Sequence, residues 1–350
     1  MMPSNAEAIL DLPAAVKEPT KQILFVHNSP AQFVVQDLDE LRRHYQVTEC
    51  YLRSRRLNPL KLWNQVSGHD LIFGWFASWH TFLPFLFARI LNKPSVLIVG
   101  GYDVANMPQI SYGHQRGGLK KWISRWTMRC ATHVITTSHY SERETTTNAA
   151  IPQTRLQTVY VGVPDSIGSL PPGPRARTVL TVGNVDRSNL QRKGHEPFVR
   201  TAALMPDVSF VLVGSWKDDA IEYLKSIASA NVTFTGRVSD EELLDHYRNA
   251  AVYVQASRHE GFGLSVAEAM LAGCVPVVSR VGSLPEVAGN SGVYVESPEP
   301  ERISEAVKEA LAYPEEVRPA IRQRILDEFP IEKRGQLLEQ LIRPMLNGSH

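Results

Sequence analysis

Twelve short runs rich in Val, Ile and aromatic residues, separated mostly by helical stretches and grouped in two series, constrain this 350-residue chain more than any other feature. The first series is QILFVHN, QVTECYL, DLIFGWF, SVLIVGG, HVITTS and LQTVYVG. The second is TVLTVGN, SFVLVG, VTFTG, VYVQAS, VPVVS and GVYVES. Strands that alternate with helices pair in parallel, because each helix carries the chain back across a sheet face. Between the series lies PDSIGSLPPGPRART, whose Pro, Gly and Ser interrupt any regular element. The chain is therefore predicted to be α/β, with two doubly wound parallel sheets. Two such sheets facing each other place the carboxyl ends of their strands, where open parallel sheets bind ligands, on a shared central cleft.

The formal net charge is only +1, which implies no nucleic-acid partner. The two halves differ: residues 1–165 carry 17 Lys and Arg against 12 Asp and Glu, and residues 166–350 carry 20 against 24. A basic first half suits an anionic acceptor or a membrane face, and a solvated surface equally. Three cysteines at unrelated spacings, Cys50, Cys130 and Cys274, read as free thiols of a reducing compartment, with no zinc site or disulfide framework. No stretch approaches the roughly 18 consecutive apolar residues of a membrane-spanning helix. The start, MMPSNAEAILDLPAAVKEPTK, lacks a basic end and breaks its apolar run at Asp11 and Pro13, so it reads as a loose leader and not as a signal peptide.

The segment SRHEGFGLSVAEAMLAGCVPVVS, residues 257–279, carries the clearest chemistry. Glu260 follows the strand VYVQAS, and Glu268 falls on a helix expected from about Ser265 to Ala272. Gly261 and Gly263 permit close approaches between them, with Phe262 in the turn. From Leu264 and Ser265 onward, helix-opening amides have no partner within the helix and form an anion site. Two carboxylates for hydroxyls thus stand beside a cradle for phosphate.

This pattern, with AMLAGCVPVV and GSLPEV after it, resembles the family 4 glycosyltransferases, retaining nucleotide-sugar enzymes of the GT-B fold; Ser283 stands where a second glycine is common. The resemblance implies two Rossmann-like domains. Residues 1–163 would bind the acceptor, 164–177 form a linker, 178–324 bind the nucleotide-sugar donor, and 325–350 pack back on the first domain. It also implies that Glu260 contacts the donor sugar and Glu268 the ribose. Lys193 matches the family's phosphate-binding lysine in a Lys-Gly pair, in a polar loop before a helix beginning near Gly194 to Pro197. Asn184 replaces the arginine usual after the preceding strand, and either Arg187 or Arg192 supplies the missing guanidinium. Backbone groups of Gly236, Arg237 and Val238 are expected to bind the base. No metal or other cofactor is expected, since Asp37 and Asp39, the only Asp-x-Asp string, fall on a helix where residues two apart do not face one another. They read as surface carboxylates.

On the acceptor side many relatives carry His-Gly-x-Asp, and here the string is Gly100, Gly101, Tyr102, Asp103. Asp103 and Tyr102 are candidate acceptor contacts at the cleft edge. His80, beside Trp75, Phe76 and Trp79, either takes the absent histidine's role or sits in an aromatic core, the plainer reading. In GLKKWISRWTMRC, Leu119, Trp122, Ile123, Trp126 and Cys130 share one helical face. The plainer reading packs that face on the sheet; the other lays it peripherally on a membrane.

Together these readings imply a cytoplasmic enzyme, peripheral at most on the inner membrane face. It would move a hexose-type sugar from a nucleotide diphosphate sugar, UDP favoured and GDP open, to a hydroxyl of a carbohydrate or lipid-linked acceptor in polysaccharide, glycolipid or other glycoconjugate synthesis. The rivals are a nucleotide-sugar epimerase or a sugar phosphorylase on the same frame, and a non-catalytic donor-binding protein.

Overall fold

The computed structural model describes residues 21–170, 173 and 175–348; residues 1–20 of the expected leader and three residues of the expected linker lie outside them. Each of the twelve runs forms a strand. The first sheet comprises β1 (Gln22–His27), β2 (Gln46–Tyr51), β3 (Leu71–Trp75), β4 (Ser95–Val99), β5 (His133–Thr136) and β6 (Leu156–Thr158), ordered β2-β1-β3-β4-β5-β6. The second comprises β7 (Thr178–Val182), β8 (Ser209–Val213), β9 (Val232–Gly236), β10 (Val252–Gln255), β11 (Val275–Ser279) and β12 (Val293–Val295), ordered β12-β11-β10-β7-β8-β9. All pairings are parallel. Strands β3, β4, β10 and β11 are buried along their whole length, as expected where helices cover both faces, whereas the edge strand β2 stays largely exposed.

The strand carboxyl ends of the two sheets meet across a cleft. Near it, the Gly261 carbonyl accepts hydrogen bonds from Ser138 Oγ at 2.8 Å and Ser141 Oγ at 3.2 Å. Glu286 of the second half accepts the backbone N–H groups of His139 and Tyr140, which open the first-half helix His139–Ala149, and the Tyr160 hydroxyl. A carboxylate at that position complements the positive end of the helix dipole.

The chain returns at its end. Helix Ile331–Leu346 buries Leu338, Ile342, Met345 and Leu346 in the same core as Ile23, Phe25, Val34 and Leu41. Arg334 on that helix donates to Asp37 through Nε at 2.6 Å and Nη2 at 2.7 Å, and Trp75 Nε1 donates to the same carboxylate at 2.9 Å. This corrects the expectation for Asp37: it is buried, and only Asp39 lies on the surface. Helix spacing does keep the two carboxylates apart, but a partner 297 residues away in sequence leaves no local signal. The three cysteines are free and buried.

Candidate active site

Helix Leu264–Leu271 opens at Gly263, whose φ of 93° suits glycine, and no side chain caps it. Leu264 and residues 260–263 line a cavity of about 270 Å³ whose opposite wall is Phe33, Trp75, Phe76, Gly100, Gly101 and Tyr102. A Cβ on Gly261 would lie 1.9 Å from the Gly100 carbonyl oxygen, so glycine here is what lets the two halves close.

Strand β10 positions Glu260 through its last residue: Gln255 Nε2 donates to Glu260 Oε2 at 2.7 Å and to Ser257 Oγ at 3.1 Å, while its Oε1 accepts the Tyr253 hydroxyl. The Glu260 carbonyl accepts from both N–H and Oγ of Ser283 at 3.1 Å, so the serine at the family's glycine position anchors the turn. Lys193 Nζ lies 3.5 Å from Glu260 Oε2, with both side chains mostly buried. Burial opposes ionisation of Glu260, but Lys193, Arg192 and His259 together hold its carboxyl below the usual range.

Glu268 has the opposite balance. Burial raises its pKa to about 7, against the hydrogen bond from the Tyr247 hydroxyl (2.9 Å) and the field of Lys193. It lines a second cavity of about 150 Å³ with Tyr247, Asp240, Ser166 and Gln32. One ammonium thus acts on both glutamates, one ionised and one poised near neutrality.

The loop expected before the Lys-Gly pair folds instead into a short helix, Arg187–Arg192, because Asp186 caps it by accepting the Asn189 N–H at 2.9 Å. That helix separates the two arginines. Arg187 is exposed and pairs with Asp219, itself exposed, and lines neither cavity. Arg192 lies 5.0 Å from the Tyr112 ring centre, donates to Asn189 Oδ1, and acts electrostatically on Glu260. Lys193 ends the helix, and the helix expected near Gly194 runs His195–Ala202. His195 is buried, and burial followed by Lys193 and Arg192 pushes its pKa down to about 3, so it adds no charge.

Asn184 is exposed, and its carbonyl accepts the Asn189 side-chain N–H. Gly236 ends β9 at the sheet's carboxyl edge, and Arg237 and Val238 follow it. Beside Gly236 stands Trp216, 45% exposed, after β8. Gln255, Tyr247 and Trp216 escaped the sequence reading. A polar Gln ending an apolar strand and a Trp just past a strand's carboxyl end were the available signals.

The first-half candidates sit differently. Asp103 is buried: its carboxylate accepts N–H groups from Ala77 at 3.0 Å, Gly101 at 3.0 Å and Gly100 at 3.3 Å, and burial raises its pKa despite those bonds. It shapes the Gly100–Gly101 loop and does not stand free at the cleft edge. His80 is likewise buried, with Nε2 against the Trp75 carbonyl at 2.8 Å and burial lowering its pKa to about 4. Of the three, Tyr102 alone lines the cavity.

Residues 176–313 match the family model described as "Glycosyl transferases group 1". The chain is 29% identical over 201 residues to a D-inositol 3-phosphate glycosyltransferase of Mycolicibacterium gilvum, an alignment covering 51% of this chain and 44% of that one. It is 36% identical over 98 residues to the O-antigen chain mannosyltransferase B of Escherichia coli, covering 27% and 26%. The chain thus spans less than half the length of either relative. Among solved structures it resembles sucrose-phosphate synthase from Thermosynechococcus elongatus (TM-score 0.75, 19% identity, 94% and 100% of the chains). It also resembles Anabaena HepE in complex with UDP and glucose (TM-score 0.76, 16% identity, 92% and 99%). The shared architecture is the GT-B fold.

Proposed function

We propose, from the membership of residues 176–313 in the group 1 glycosyl transferases, that this chain is a retaining, metal-independent glycosyltransferase. It moves a hexose-type sugar from a nucleotide diphosphate sugar, UDP favoured over GDP, to a hydroxyl of a carbohydrate or lipid-linked acceptor in glycoconjugate synthesis. The observation that carries this reading is the position of Lys193, which pairs with Glu260 and acts on Glu268. A departing diphosphate gains negative charge, and Lys193, Arg192 and the opening amides of helix Leu264–Leu271 are the groups that stabilise it. Glu260 orients the sugar and Glu268 accepts from the ribose hydroxyls. Trp216 and the backbone of Gly236–Val238 contact the base. No metal has a part in this scheme; the Asp37 carboxylate is already engaged by Arg334 and Trp75. The three free thiols suit the reducing cytoplasm.

The test is incubation with UDP-, GDP- and ADP-sugars and a panel of hydroxyl acceptors, with products assigned by NMR. The expected product is a new glycoside with the donor's anomeric configuration, formed equally well in EDTA. A changed sugar still attached to nucleotide, phosphate-dependent cleavage, or donor binding without turnover would each replace this reading with one of its rivals.

A further inference from the structure

Helix Gly118–Cys130 turns the unexpected way. It buries Ser124, Thr127, Met128 and Cys130, and leaves Leu119 72%, Trp122 49% and Trp126 43% exposed. This corrects the packing expected from its apolar stripe. Ser124 faces inward because it bonds there, its Oγ donating to the Asp103 carbonyl at 2.9 Å and accepting from Gln115 Nε2 at 3.1 Å, while buried Thr127 satisfies its hydroxyl within the helix, donating Oγ1 to the Ile123 carbonyl at 2.8 Å. The tryptophans are left beside each other with their rings tilted by 45° and their centres 5.8 Å apart, and the Trp122 ring centre lies 5.5 Å from that of Phe82 on helix Trp79–Ile90.

The surroundings are basic. Helix Gly118–Cys130 packs on Trp79–Ile90, which packs on Pro59–Ser67, and none of the three contains an acidic residue. From Leu52 to Thr137 the chain carries eleven Lys and Arg and two acids, Asp70 and the buried Asp103. Exposed Leu60 and Ile90 lie on the same three helices. Among the described residues no helix is long and apolar enough to cross a membrane.

We propose that this face docks on the surface of an anionic lipid bilayer, with Leu119, Trp122 and Trp126 in the interface and the surrounding Lys and Arg on the headgroups. Tryptophans favour the headgroup level, where their rings are partly apolar and partly hydrated. A helix that pairs an apolar face with basic residues and does not span binds such surfaces by buried area plus charge. Lys120 lies 6.0 Å from the ring centre of Tyr102, so the docking face runs up to the first-half lip of the cleft. The proposal stands apart from the transfer reading, since its readout is binding.

The test is co-sedimentation with vesicles of phosphatidylcholine alone or with about one-third phosphatidylglycerol, at low and high salt. The full chain is expected to sediment with the anionic vesicles at least about tenfold more strongly than with the neutral ones, and to be released by salt. Trp122→Ser with Trp126→Ser should lose that binding while keeping the melting temperature. Lys120→Ala with Lys121→Ala should weaken it by about fivefold per lysine. Failure to bind anionic vesicles at low salt, or undiminished binding of the tryptophan variant, overturns the proposal. So does a dimer in solution that the tryptophan variant abolishes while vesicles sediment neither protein, which would make the face a contact between copies.

Discussion

The two walls of the cleft touch at Gly261 and Gly100 and use their polar residues in opposite ways. On the second-half wall Glu260 and Glu268 each line a cavity from partly open positions, with Lys193 paired to Glu260 and acting electrostatically on Glu268. On the first-domain wall Asp103 and His80 are buried and committed to the backbone around Trp75–Ala77 and Gly100–Gly101, and the exposed lining is largely aromatic. Ionised groups that retain reach toward a ligand can bind one. A buried carboxylate accepting three backbone N–H groups serves to hold its own loop in shape. The second-half wall therefore offers a ligand side chains, and the first-half wall offers it shape.

Substitutions on the two walls should separate accordingly. Glu260→Ala should lower kcat by about 10²- to 10³-fold, the cost of removing one group placed for the transition state. Lys193→Ala, which in the proposed scheme removes a charge-assisted contact to the leaving group, should slow turnover by roughly ten- to a hundredfold. Glu268→Gln should chiefly weaken nucleotide binding. Burial pushes the Glu268 carboxyl up to about 7, and in the proposed scheme its ionised form accepts the ribose hydroxyls, so wild-type donor affinity should rise as pH increases through about 7 and the Gln variant should lack that rise. Asp103→Asn should cost about 1–3 kcal/mol of stability in thermal or denaturant unfolding and leave donor affinity unchanged; weaker donor binding without lost stability would break the comparison. Arg187→Ala should change neither turnover nor melting, since its only strong partner is exposed Asp219.

The strands were legible because a buried parallel strand must be apolar, and the Glu260–Glu268 segment because its glycines and glutamates stand at a characteristic spacing. What stayed hidden was set by distant partners. Asp37 is buried by Arg334, reached only when the chain returns in its last helix. The inward face of helix Gly118–Cys130 is chosen by the Asp103 carbonyl, against its own apolar stripe. The choice between Arg187 and Arg192 depended on a short helix that Asp186 caps within what otherwise reads as a polar loop. Gln255 was lost inside an apolar run, although it is the residue that aims Glu260.

The most direct measurement is titration calorimetry of UDP and GDP against the wild type and the Lys193→Ala and Arg187→Ala variants. Wild type and Arg187→Ala should bind one nucleoside diphosphate alike, and Lys193→Ala should bind it at least about tenfold more weakly. Undiminished binding by Lys193→Ala, or loss of binding in Arg187→Ala, would contradict a donor site built around Lys193 and the two glutamates.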